Sequence, residues 1–163
     1  MIQKIMVCLC LLLSVPSFAH EVSTDAIVGA GIGKNVFGEL PFERYGTIGL
    51  RYGDEWKIQL NGGYYLDPAI MESSFVCSLQ GGIEVDGKSG VWTSFMFGPA
   101  YLFSPDDIKL SGHFQFHLTG GIGIKDSYDN RLGITWNHYS NAGFEQPNLG
   151  RDLLTLQLVI PLF

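Results

Sequence analysis

"RDLLTLQLVIPLF", residues 151–163, is the stretch that decides the fold. Its even positions are Asp152, Leu154, Leu156, Leu158, Ile160 and Leu162, whereas its odd positions include Thr155 and Gln157. Successive side chains of a strand point to opposite faces, so the stretch presents one aliphatic surface and one mixed surface. A leucine and isoleucine face opposite polar residues predicts lipid on the outside and a mixed, packed interior.

The same pattern extends outward through the chain. In "RLGITWNHYS", residues 131–140, Leu132, Ile134, Trp136, His138 and Ser140 alternate with Arg131, Gly133, Thr135, Asn137 and Tyr139. Trp56, Ile58 and Leu60 oppose Lys57, Gln59 and Asn61, and Phe114, Phe116 and Leu118 oppose His113, Gln115 and His117. Alternating stretches rich in β-formers occur at about 24–37, 43–53, 55–66, 74–86, 90–103, 112–125, 128–140 and 151–163. Turn chemistry separates them, as in "GDE", "DGKSG" and "KDSYDN". The expectation is an all-β chain: one eight-stranded antiparallel transmembrane β-barrel of the outer-membrane type, over residues 20–163. The terminal Phe163 resembles the assembly signal of bacterial outer-membrane barrels, although Pro161 departs from that pattern.

The first residues carry Lys4, then an apolar run from Ile5 to Val15 and the small-residue pattern Ser17-Phe18-Ala19. This reads as a signal peptide over residues 1–19. Beyond it no apolar run reaches the ~20 residues of a membrane helix. The formal charge of −6 becomes one unit more negative once Lys4 leaves, which argues against a nucleic-acid partner. Cys8 and Cys10 leave with the leader, so Cys77 has no disulfide partner. On the apolar face with Phe75 and Leu79, it is expected to be a buried, inert thiol.

Three polar residues interrupt the outer face near the end of the chain. His138 and Ser140 lie two apart on the seventh strand, and Asp152 enters the eighth strand beside them if residues 141–150 form the connecting turn. A base, a nucleophile and a carboxylate to orient the base are the components of acyl transfer. With both termini in the periplasm, the seventh strand ends at the extracellular side. The patch would then face the outer leaflet, where lipopolysaccharide carries ester-linked acyl chains.

"HYSNAG", residues 138–143, followed by "NLGRD", residues 148–152, resembles the signature of the lipid A 3-O-deacylase (PagL-like) family. The resemblance implies an outer-membrane serine esterase that removes the 3-O-linked 3-hydroxyacyl chain of lipid A and needs no cofactor. It implies Ser140 as nucleophile, His138 as general base and Asp152 as orienting acid. Asn141 and the Gly143 N–H would form the oxyanion hole, with Asn148 holding the loop. Where the family commonly has glutamate, this chain has Asp152, a shorter side chain. Lipid A and the surrounding outer-membrane lipid are the implied partners, and a homodimer stays open. Two other readings also stay open: a non-catalytic structural or adhesive barrel, and an acyltransferase or phospholipase acting on membrane lipid.

Other motifs carry blander readings. "GAGIGK", residues 29–34, lacks the spacing of a phosphate loop, and its glycines, like those of "TGGIGI" at 119–124, are expected to let strands approach closely. His113 and His117 have no carboxylate or cysteine at metal-ligand spacing and are assigned to interior packing. "DSYDN", residues 126–130, lacks the glycine and distal glutamate of a calcium loop and reads as a turn.

Overall fold

A computed structural model describes residues 22–35, 43–67, 72–103, 113–144 and 150–163. Eight strands follow one another: β1 Ser23–Asn35, β2 Glu43–Gly53, β3 Trp56–Asp67, β4 Glu72–Asp86, β5 Val91–Phe103, β6 Phe114–Lys125, β7 Arg131–Ser140 and β8 Arg151–Pro161. Each pairs antiparallel with the next. β8 returns to β1, from Asp25 opposite Pro161 to Asn35 opposite Arg151, and closes the barrel. Closure leaves no open sheet edge, which is the condition for a β-structure to cross hydrocarbon. The chain is an eight-stranded outer-membrane β-barrel.

Strand ends depart from the sequence expectation where side chains compete for the backbone. The seventh strand begins at Arg131 rather than near 128 because Asp126 gathers the turn before it. Asp126 Oδ1 accepts from the N–H groups of Tyr128 at 2.8 Å and Asn130 at 3.0 Å, and Oδ2 accepts from the Asn130 amide at 2.9 Å. The hydrogen bond from the Asn130 side chain, followed by those from the backbone, holds the Asp126 carboxyl below its usual range. β8 stops at Pro161, which has no N–H to give the ladder.

The alternation sorts side chains as the sequence predicts. Arg131, Thr135, Asn137 and Tyr139 are buried inside, while Leu132, Ile134, Leu154, Leu156 and Leu158 are exposed on the outer wall, where a membrane would supply lipid. The interior is polar and ionic toward the end that holds the short β2–β3, β4–β5 and β6–β7 turns. There Arg51 pairs with Glu84, Arg131 lies 3.5 Å from Glu84 and 3.8 Å from Asp25, and Lys57 lies 3.7 Å from Asp25. Toward the other end the filling becomes aromatic and aliphatic: Tyr45, Tyr65, Val76, Ala100, Leu102, Tyr139 and Leu153 form one cluster.

Two expectations need correction, and the reading of the glycines gains a second part. Cys77 lies on the outer face as expected, but it is half-buried rather than buried. His117 is interior, yet His113 precedes β6, is exposed, stacks on Tyr101 at 5.5 Å and has Nδ1 2.9 Å from the Leu102 carbonyl oxygen. The glycines of β6 and β7 serve a side chain as well as strand approach. Trp92, 0% exposed, fills the space that a Cβ would take at Gly133, 2.5 Å from its Cζ2, and at Gly123, 2.7 Å from its Nε1. Gly133→Ala also brings its methyl to 2.5 Å from the Ile122 carbonyl oxygen, a backbone atom that cannot swing aside. Overpacking of this kind costs about 1–3 kcal/mol. The variant is expected to unfold at a lower temperature than the parent, measured as the temperature at which the compact band on a denaturing gel converts to the unfolded one.

Candidate active site

The outward residues near the end of β7 are held by the inward ones between them. Asn137 donates to Thr135 and Thr155, both at 3.2 Å, and accepts from Thr119 at 3.1 Å. Tyr139 is buried, its hydroxyl 3.1 Å from that of Tyr45 and its ring 3.9 Å from the His117 ring. Asn141, just past the strand, is 1% exposed. With 137, 139 and 141 anchored inside, His138 and Ser140 must emerge on the outer wall.

Asp152 stands directly across the ladder, the register partner of His138. Its neighbours are also anchored: Arg151 pairs with Glu43 at 3.0 Å and lies 4.9 Å from the Tyr65 ring centre, and Leu153 is fully buried. Direct partners in an antiparallel ladder have Cα atoms about 4.5–5.5 Å apart, a gap that a short carboxylate can close. Asp152 Oδ1 accordingly lies 2.8 Å from His138 Nδ1. The aspartate therefore needs no extra methylene to reach the imidazole. The same oxygen accepts the Trp136 indole N–H at 3.0 Å.

Beside the pair lies an outward-facing depression of about 330 Å3, lined by Phe97, Phe116, Leu118, His138, Ser140 and Ala142. Phe97 and Phe116 stack with ring centres 5.7 Å apart and planes within 7°. An apolar floor with a histidine and a serine at one edge can receive a hydrocarbon chain and present its terminal carbonyl to both side chains.

The turn after Ser140 shapes that edge. Ala142 and Gly143 have φ of 54° and 84°, and the Phe144 N–H reaches the Asn141 carbonyl oxygen at 3.1 Å, the pattern of a type I′ turn. Alanine at positive φ is uncommon. Asn141 and Gly143, expected together as oxyanion donors, are bonded to one another: the Gly143 N–H donates to Asn141 Oδ1 at 2.9 Å. Asn148 lies outside the described residues.

Two contributors escaped the sequence reading. Trp136 looked like another apolar outer residue, and only its position two before His138 could have suggested more. Gly150 looked like an ordinary turn glycine, yet it is buried against the imidazole. A Cβ there would lie 3.0 Å from His138 Cε1 and 3.6 Å from Nε2.

A second histidine has similar partners but a different setting. His117 Nδ1 is 2.8 Å from Ser78 Oγ, and its Nε2 is 3.0 Å from Asn137 Oδ1. All three are buried within the barrel, where no acyl chain can reach them. The outer set alone combines these groups with access. Among the described residues no cluster of three or more His, Cys, Asp or Glu side chains is placed to hold a metal ion.

Residues 83–161, which carry β5 to β8 and the whole of this site, match the lipid A 3-O-deacylase (PagL) family. The chain is similar to that family over its C-terminal half. A curated member, the lipid A deacylase PagL of Bordetella bronchiseptica, is 38% identical over 50 residues, 31% of this chain. The matched segment spans 28% of that relative's length. The crystal structure of the outer membrane enzyme PagL superposes with a TM-score of 0.60 at 19% identity, covering 85% of this chain and 99% of that one. Neisserial surface protein A superposes with a TM-score of 0.66 at 11% identity, over 88% and 99%. The barrel is thus shared between the two, and the likeness to the deacylase family is carried by the sequence of the C-terminal half.

The contact at Gly150 gives a test within this family site. Gly150→Ala should displace the imidazole by a few tenths of an ångström and lower turnover about tenfold or more, since misplacement near 1 Å can cost about a hundredfold. The folded fraction should stay at the parent level, so initial rates on barrels purified in the compact form are the measurement.

Proposed function

We propose that the chain hydrolyses the 3-O-linked 3-hydroxyacyl ester of lipid A as a serine esterase. The observation that carries this reading is the Asp152–His138 pair, bonded at 2.8 Å on the outer wall, with Ser140 beside it at the edge of an apolar depression. A non-catalytic barrel has no use for an oriented imidazole among lipid-facing side chains, where ionisable groups are costly.

In this mechanism Ser140 Oγ attacks the ester carbonyl and His138 Nε2 takes its proton, Nδ1 being engaged by Asp152. The carboxylate stabilises the imidazolium as it forms. Charge that develops on the carbonyl oxygen is met by the Gly143 N–H, which exchanges the Asn141 side-chain oxygen for the substrate's. Such an exchange replaces one acceptor by another and avoids stripping a donor of its partner. The imidazolium then protonates the departing sugar oxygen. Water, activated by the same histidine, releases the 3-hydroxy fatty acid from Ser140.

Orientation follows from the connections. The termini and the short turns 54–55, 87–90 and 126–130 share one end, the periplasmic end in barrels of this kind. The site is at the opposite end, level with the outer leaflet, and the acyl chain lies along Phe116 and Phe97. A homodimer is not needed by this site.

Expression in an outer membrane should lower the mass of lipid A by one 3-hydroxyacyl chain, read by mass spectrometry, and Ser140→Ala or His138→Ala should abolish the change. Correctly assembled barrel with an unchanged lipid A spectrum overturns the substrate. Loss of an acyl chain from phospholipid instead, or its transfer to another lipid, would reassign the reaction.

A further inference from the structure

We propose that Trp136 is a positioning residue of this site: its indole N–H holds the Asp152 carboxylate in the orientation that engages His138. The inference rests on the reading of His138 as the base for Ser140. It concerns how a short carboxylate at the lipid boundary is kept turned toward the imidazole.

Three observations lead to it. Asp152 Oδ1 receives two donors, His138 Nδ1 at 2.8 Å and Trp136 Nε1 at 3.0 Å. The two rings lie side by side, centres 5.7 Å apart and planes within 25°, so both nitrogens approach that one oxygen from β7. In register, Trp136 stands opposite Leu154 and reaches Asp152 diagonally, a span that a long aromatic side chain covers.

The physical need is specific to this location. Asp152 is the second residue of β8, and its side chain is 40% exposed while that of His138 is 29% exposed. A carboxylate at the lipid boundary, with one bond to an imidazole, can rotate about its side chain toward headgroups and water. A second donor on the same oxygen removes that freedom. The indole has its own requirement, because an N–H on an apolar outer wall must find an acceptor. Each group therefore supplies what the other lacks. The Asp152–Trp136 bond completes a chain of control running from indole to carboxylate to imidazole.

Trp136→Phe removes the N–H and keeps a ring on the outer wall. On purified barrels reconstituted with lipid A, this variant should lose about tenfold in kcat with KM unchanged. The same substitution in an Asp152→Ala background should cost nothing further, because the carboxylate it acts through is gone. An equal loss in both backgrounds, or an unchanged kcat, overturns the proposal. A measurement without substrate separates this outcome from failure of the esterase reading. The imidazole nitrogen signals of 15N-labelled His138 should show one tautomer, with the proton on Nδ1, in the parent, and a mixture in Trp136→Phe. If the parent does not act on lipid A, the esterase assignment falls while the tautomer still reports on Trp136. A single Nδ1–H tautomer retained in Trp136→Phe overturns the positioning role whatever the activity.

Discussion

Every backbone N–H and C=O within hydrocarbon must find its partner inside the chain, and the pairing of β1 with β8 is what completes that requirement here. Once the sheet is closed, each residue has only two directions in which to point. Most polar side chains go inward, to Asp25, Arg51, Glu84 and their neighbours, and the outer wall is largely apolar. Against that rule, His138, Ser140 and Asp152 on the outer wall are exceptions. Exceptions of this kind are expensive, and two of the three, His138 and Asp152, are direct partners across one ladder rung.

The filled interior also explains the rigidity of the outer groups. The backbone positions from which the outward residues emerge are set by the inward residues between them. Asn137, Tyr139, Arg151 and Leu153 are tied into the core, and the pleat transmits their placement to the side chains between them. The contrast between the two histidines follows from the same pleat. His117 on β6 and His138 on β7 both have hydrogen-bonding partners, but one faces the packed lumen and the other the outer wall. One step along a strand changes a packing residue into a candidate base.

Much of this was legible because a period of two is a strong constraint over eight strands. The aliphatic face of residues 151–163 pointed to lipid, and the order and approximate limits of all eight strands followed. Strand ends were less legible, since the Asp126 turn competes locally with the ladder in a way that alternation does not register. The spacing of His138, Ser140 and Asp152 was readable, and so was their shared face. What the sequence could not convey was register across the β7–β8 ladder. That register makes His138 and Asp152 direct partners, so the short carboxylate reaches. It also brings Trp136 within reach of Asp152, and the fold brings Gly150 against the imidazole. Neither residue type announces such a role, because tryptophan is ordinary on an outer wall and glycine is ordinary in a turn.

The depression beside Ser140 lies on the outer face of the barrel, away from the lumen. A molecule that enters it comes from the leaflet itself and exchanges one hydrocarbon neighbour for another, so burying its chain yields little of the hydrophobic gain available to a substrate arriving from water. Occupancy is then governed by mole fraction in the plane of the membrane and by lateral diffusion, and bulk concentration loses its meaning. Under such conditions, discrimination among lipids falls to shape along the phenylalanine floor and to the polar groups at its edge.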